Sequence, residues 1–134
     1  MKYVFVVEAI STGRYYVREA AERGYTPVVL FPRMAAEAAH YAPFRASVEN
    51  YLRRYTEHIY YLNDDEKDGT ALLEKFHPEA IVAGSEAGVA LCDLLARKPG
   101  CRATTLRRAN AAATNTRWPP QSGARASRRS FRAG

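Results

Sequence analysis

Two continuous apolar runs, Tyr3-Val4-Phe5-Val6-Val7 and Thr26-Pro27-Val28-Val29-Leu30-Phe31, flank a stretch with helical spacing. A strand that meets water on one face alternates apolar and polar residues. These runs do not alternate, so both must be covered on both faces, the pattern of a parallel sheet. Between them Glu8 to Gly13 makes a polar turn, with Ser11 or Thr12 as the N-cap. Tyr16, Val17, Ala20 and Ala21 then form a helical stripe that stops at Gly24, and Pro32 closes the second strand. The unit is strand, helix, strand, with a crossover expected to be right-handed. Neither antiparallel hairpins nor helices alone would satisfy it.

The same grammar returns from Ala80 to Lys98. Ala80-Ile81-Val82-Ala83 is a buried-strand run and Gly84-Ser85 is a turn. Val89, Cys92 and Ala96 share one helical face, with Leu91 and Leu95 beside it. Ser85 is expected to cap this helix through its hydroxyl, and Glu86 to sit in its first turn, where the helix dipole favours a carboxylate. Between the two units, Met34 to His40 suggests a short helix, and Phe44, Val48, Tyr51 and Leu52 a longer one. His58 to Leu62 reads as a strand, and Asp64 to Asp68 leads into a helix carrying Leu72, Leu73 and Phe76. His77-Pro78-Glu79 separates that helix from the fourth strand. The expected class is α/β, a Rossmann-like open parallel sheet of about four strands with helices on both faces, spanning residues 1–98.

Charge decides what kind of partner to expect. The chain of 134 residues has a net charge of +6, which suggests nucleic acid. However, eight of its 20 basic residues and none of its 14 acids lie in residues 99–134, so residues 1–98 hold 12 bases against 14 acids, a net charge of −2. The basic character belongs to the tail, and nucleic acid is not an expected partner of the folded part. Tyr41, Tyr51 and Tyr55 with Arg45, Arg53 and Arg54 imitate a nucleic-acid surface, but at helical spacing they read as core-facing rings beside a solvated face. The two cysteines form no metal or disulfide pattern. Glu8 interrupts the apolar start, no signal-type cleavage pattern comes after it, and no transmembrane span is found, so no membrane partner and a cytoplasmic location are expected.

Other familiar motifs fail on spacing. A dinucleotide fingerprint would need Gly-x-Gly-x-x-Gly after the first strand and an acid after the second; both are missing, and Arg33 stands after the second strand. Asp64, Glu66, Asp68 and Gly69 imitate the start of a calcium loop, yet the twelfth position is Lys75. His40, His58 and His77 have no ligand partner at motif spacing and read as packing or surface residues. No residue is assigned as catalytic or metal-binding. The substrate- or interface-binding candidates are Ser11, Thr12 and Gly13 after the first strand and Gly84, Ser85 and Glu86 after the fourth. Both groups should share the carboxyl edge of the sheet, where ligands of open α/β sheets collect; the plainer alternative is that they only start helices.

Three blocks carry a family resemblance: Val6-Val7-Glu8-Ala9-Ile10-Ser11-Thr12-Gly13-Arg14, Arg23-Gly24-Tyr25-Thr26-Pro27-Val28-Val29, and Ala83-Gly84-Ser85-Glu86-Ala87-Gly88-Val89 with Leu91-Cys92-Asp93. Over Tyr3 to Lys98 the chain resembles the amino-terminal, pre-ATP-grasp domain of ATP-grasp ligases, closest to the amino-acid or dipeptide ligases related to carnosine synthase. The resemblance implies a Rossmann-like domain that forms one wall of the substrate cleft and packs against a catalytic domain. It implies ATP and magnesium as cofactors of the full-length enzyme, and an amino acid or carboxylate as its small-molecule substrate. The groups that hold ATP and magnesium lie further along such chains, so this stretch by itself is expected to hold no cofactor and to be inactive. The alternative is a free-standing Rossmann-like small-ligand module with a basic arm for nucleic acid.

Residues 99–134 are rich in Ala, Arg, Thr, Ser, Pro and Gly, without acids or periodicity, and are expected to be disordered. A reading-frame slip after Lys98 would explain them. When the third base of each codon is joined to the first two of the next, Pro99-Gly100 can give only Gly, Arg or Trp, and the next steps permit Leu-Pro-Gly-Asn-Asp-Pro-Ala. Ala113 to Thr116 permits Asp-Lys-Tyr, and Trp118-Pro119 must give Ala. The recovered line resembles the segment beyond this helix in the ATP-grasp family, so the chain is expected to be a truncated, frameshifted fragment.

Overall fold

The computed structural model describes residues 2–10, 13–34 and 42–106. In chain order the elements are β1 (Tyr3–Val7), α1 (Gly13–Glu22), β2 (Thr26–Phe31), α2 (Ala42–Leu52), β3 (His58–Tyr61), α3 (Asp65–Phe76), β4 (Ala80–Ala83), α4 (Glu86–Ala96) and β5 (Thr104–Leu106). The five strands form one sheet of order β3-β2-β1-β4-β5, with every pairing parallel. The chain is α/β with a Rossmann-like open sheet, as the apolar runs require.

β1 is central, and its sequence shows why. Val4, Phe5, Val6 and Val7 are all fully buried, with alternate residues serving opposite faces. Val4 and Val6 join Val17, Ala20, Val48 and Leu52 in the core beneath α1 and α2. Phe5 and Val7 join Leu72, Leu73, Phe76, Leu91 and Leu95 beneath α3 and α4. The winding therefore runs outward from β1 to β3 with helices on one face, then restarts at β4 on the other side of β1 with helices on the opposite face. A constant crossover hand requires that change of face when the direction reverses.

Local chemistry sets the element ends. Asp64 caps α3 by accepting from the Lys67 backbone N–H at 2.8 Å. Asp68 reaches back to accept from the N–H groups of Asn63 and Asp64, at 2.9 and 3.1 Å. The acidic run is thus a helix start, and these bonds, that from Asp64 first, hold the Asp68 carboxyl below its ordinary range. His77 ends α3 in the left-handed conformation (φ 49°), its N–H bonded to Leu73 O. His58 packs edge-on to Tyr3 and Phe76, a ring cluster that continues to Phe5.

Two expectations change. The sheet has five strands, because Thr104–Leu106 pairs with Ala80–Val82 at the edge beside β4. These residues belong to the stretch whose composition suggests a disordered tail. Three ladder-bonded residues need no apolar period of their own when the neighbouring strand supplies the template. Residues 107–134 lie outside the described residues, as does most of the suggested Met34–His40 helix. No helix among the described residues is long and apolar enough to cross a membrane.

Candidate functional site

The winding reverses between β1 and β4, so the segments after these neighbouring strands depart to opposite faces, one into α1 and the other into α4. In open parallel sheets this divergence leaves the ligand crevice at the carboxyl edge. Here the two departing segments are held together by close backbone approach. Gly84 donates its N–H to Val7 O at 2.8 Å. A Cβ on Gly84 would lie 2.6 Å from Glu8 O and 2.9 Å from the Gly13 Cα, and a Cβ on Gly13 would lie 2.8 Å from the Gly84 Cα. A Cβ on Gly88, in the first turn of α4, would lie 2.6 Å from Val7 O. The starts of α1 and α4 can close on the end of β1 only because these positions are glycine.

Glu8 stands at the centre of this contact. It extends the β1–β2 ladder by donating its N–H to Leu30 O at 2.8 Å, yet its φ is 66°, the left-handed region that side-chain-bearing residues rarely adopt. It is 1% exposed. Its Oε1 accepts the Ser85 hydroxyl at 3.0 Å, and its buried Oε2 has no hydrogen-bond partner among the described residues. The sequence marks this residue as the one acid ending an unbroken apolar strand, but by pattern alone it is only part of a turn.

Of the candidates taken from the sequence, Gly13, Gly84, Ser85 and Glu86 do come together at the carboxyl edge. Ser11 and Thr12 lie outside the described residues. Ser85 occupies the N-cap position of α4 with extended backbone, but its side chain makes no cap bond. The expectation of a hydroxyl cap is corrected: the hydroxyl is spent on Glu8 Oε1. Glu86 is the first residue of α4, as expected, and it is exposed. Among the described residues the site therefore presents one solvent-facing carboxylate, one half-buried hydroxyl and one buried carboxyl group behind it.

Two other regions resemble sites less closely. Tyr51 and Tyr55 pack against the core beneath α1 and α2, with the Arg54 guanidinium over the Tyr51 ring and Arg14 over Tyr15. Tyr61 donates its hydroxyl to Glu49, and burial followed by that bond raises its pKa. Tyr51 and Tyr55 are rings packed at the edge of the core, in keeping with the sequence reading; Tyr41 lies outside the described residues. A groove of about 750 Å³ lies at the opposite, amino edge of the sheet, between the end of α3 and the segment leading into β5. Its lining mixes Glu74, His77 and Glu79 with Lys98 and Arg102, and among the described residues no buried polar group without a partner lines it.

Comparison with known proteins adds no further constraint: the chain matches no family model, no curated protein and no solved structure.

Proposed function

We propose that this chain is the amino-terminal, Rossmann-like domain of a cytoplasmic ATP-dependent carboxylate-amine ligase of the ATP-grasp type, one wall of an amino-acid substrate cleft and inactive alone. The observation that carries the reading is the meeting of Gly13 with Gly84-Ser85-Glu86 at the switch point between β1 and β4. That is the edge where a substrate would be held against a catalytic domain, and the segments that meet there are the ones that resemble the ligase family. Phosphoryl transfer also needs phosphate cradling and metal-held charge neutralisation, which the resemblance places in the catalytic domain together with ATP and magnesium.

In this reading exposed Glu86 receives a substrate ammonium or a bond from the catalytic domain. Reading the nucleotide sequence across Lys98 and restoring the frame supplies the test protein. Glu86→Gln in that protein is expected to lower ATP-dependent ligation at least about tenfold, roughly 1.4 kcal/mol of transition-state stabilisation, with thermal stability nearly unchanged. Unchanged activity, or a parallel loss of stability, would make Glu86 a structural residue. β5 favours a second reading: it pairs residues beyond Lys98 with the sheet, as a free-standing small-ligand module would. An intact frame across Lys98 would select that alternative.

A further inference from the structure

At the switch point of an open parallel sheet, helix starts and backbone amides hold a ligand's anionic group, most often a phosphate. In this chain a carboxyl group of the protein already lies there. The Glu8 Cβ is 3.1 Å from where a Cβ on Gly88 would stand, and Glu8 Oε1 takes the hydroxyl of Ser85, the residue that opens α4. The side chain thus runs along the first turn of an 11-residue helix. Its second oxygen is buried and unpartnered among the described residues.

We infer that Glu8 is a built-in anion occupying the phosphate position, so that this edge rejects phosphate-bearing ligands and admits ligands that present a cationic or neutral group. Three features support this. A buried carboxyl group with one free oxygen needs compensation, and the contact it makes, the Ser85 hydroxyl, sets it against the start of α4, the positive end of a helix dipole. Glu8 also holds a left-handed conformation that glycine would adopt without strain; what the strained residue retains is the carboxyl group. Finally, the glycine contacts hold α1, α4 and the end of β1 against one another around Glu8, and exposed Glu86 adds a second acidic residue at the start of the same helix. The inference is independent of the ligase reading, since it concerns which charge the edge accepts and not which reaction takes place there.

The test is an amide NMR titration of the full 134-residue chain with inorganic phosphate, ionic strength being held constant with chloride. Resonances of residues 85–88 in the unmodified chain are expected to stay in place. Glu8→Gly and Glu8→Asn both suit a positive φ and both remove the carboxylate. Each is expected to show saturable shifts at residues 85–88, with affinity at least about tenfold above the unmodified chain. Glu86→Gln, which removes only the exposed charge, is expected to show no such gain. Phosphate binding at residues 85–88 of the unmodified chain, or absence of a gain in both Glu8 variants, would overturn the inference, as would an equal gain in Glu86→Gln. If both Glu8 variants unfold, refolding by phosphate sustains the inference, and failure to refold refutes it.

Discussion

The two edges of the sheet are built from the same strands and differ in almost every physical respect. At the carboxyl edge α1, α4 and the end of β1 meet backbone to backbone, through glycines whose missing Cβ atoms would fall 2.6–3.0 Å from neighbouring main chain. A strained, buried Glu8 is locked to Ser85 there. At the amino edge the groove of about 750 Å³ carries exposed Glu74, Glu79 and Arg102 in its lining beside Leu73 and Pro78, and Lys98, which also lines it, bonds Glu66 in the first turn of α3. The groove is therefore not where the chemistry concentrates. In a parallel sheet every strand ends, and every succeeding helix begins, at the carboxyl edge, so unpaired N–H groups gather on that side whatever the shape of the surface.

Glycine substitution should separate the edges most strongly. Gly84→Ala puts a methyl group 2.6 Å from Glu8 O, contact with backbone that cannot turn aside, and is expected to cost about 3 kcal/mol by urea denaturation. Gly100→Ala at the amino edge has nothing within 4 Å and only a φ of +84° to contend with, so about 1 kcal/mol is expected. Equal costs would mean that the carboxyl edge relaxes freely and is not a packed site.

The polar bonds come next in size. Ser85→Ala should cost about 2 kcal/mol, because it strips the remaining partner from a buried carboxyl group. Lys98→Met should cost under about 1 kcal/mol, since Glu66 is 65% exposed and well solvated. A double-mutant cycle of Ser85→Ala with Glu8→Gln sharpens the contrast. Coupling near zero would show that the hydroxyl bond contributes nothing.

The smallest effects lie at the two ends of α3, which touch both edges. Asp64→Ala removes the cap at the carboxyl edge and should cost about 1 kcal/mol, whereas His77→Gly at the amino edge should stabilise by about 0.5 kcal/mol by relieving a positive φ. Asp68 adds a pH signature. Its carboxyl pKa is lowered in the folded chain, so its contribution is fully present above the unfolded aspartate value, about 3.9, and is lost as the pH falls through the lower folded value. Thermal melts of Asp68→Asn should therefore depend less on pH below about pH 4 than those of the unmodified chain. Identical acid profiles would remove Asp68 from the cap.

Most of the framework was legible from residues alone. Unbroken apolar runs announced strands covered on both faces, and the stripes beginning at Tyr16, Phe44 and Leu72 announced the helices that cover them, although Phe44 itself stays exposed. Asp64 and Asp68 were readable as a helix start because capping depends on residues three or four apart. Gly13, Gly84, Ser85 and Glu86 were readable as neighbours because the carboxyl ends of parallel strands share an edge. β5 was not legible, because a three-residue edge strand takes its geometry from β4 and needs no pattern of its own.

The sequence by itself determined the alternation of strands and helices, the burial of β1 and the edge on which polar turns must lie, since these depend on periodicity and local capping. Only the tertiary structure decided that the Ser85 hydroxyl leaves its own helix for a residue 77 positions earlier, and that Glu8 is buried where a ligand's anion would otherwise sit. Both depend on how closely two helix starts approach the end of one strand. That distance is set by side chains missing at Gly13, Gly84 and Gly88 across the fold, and no local spacing encodes it.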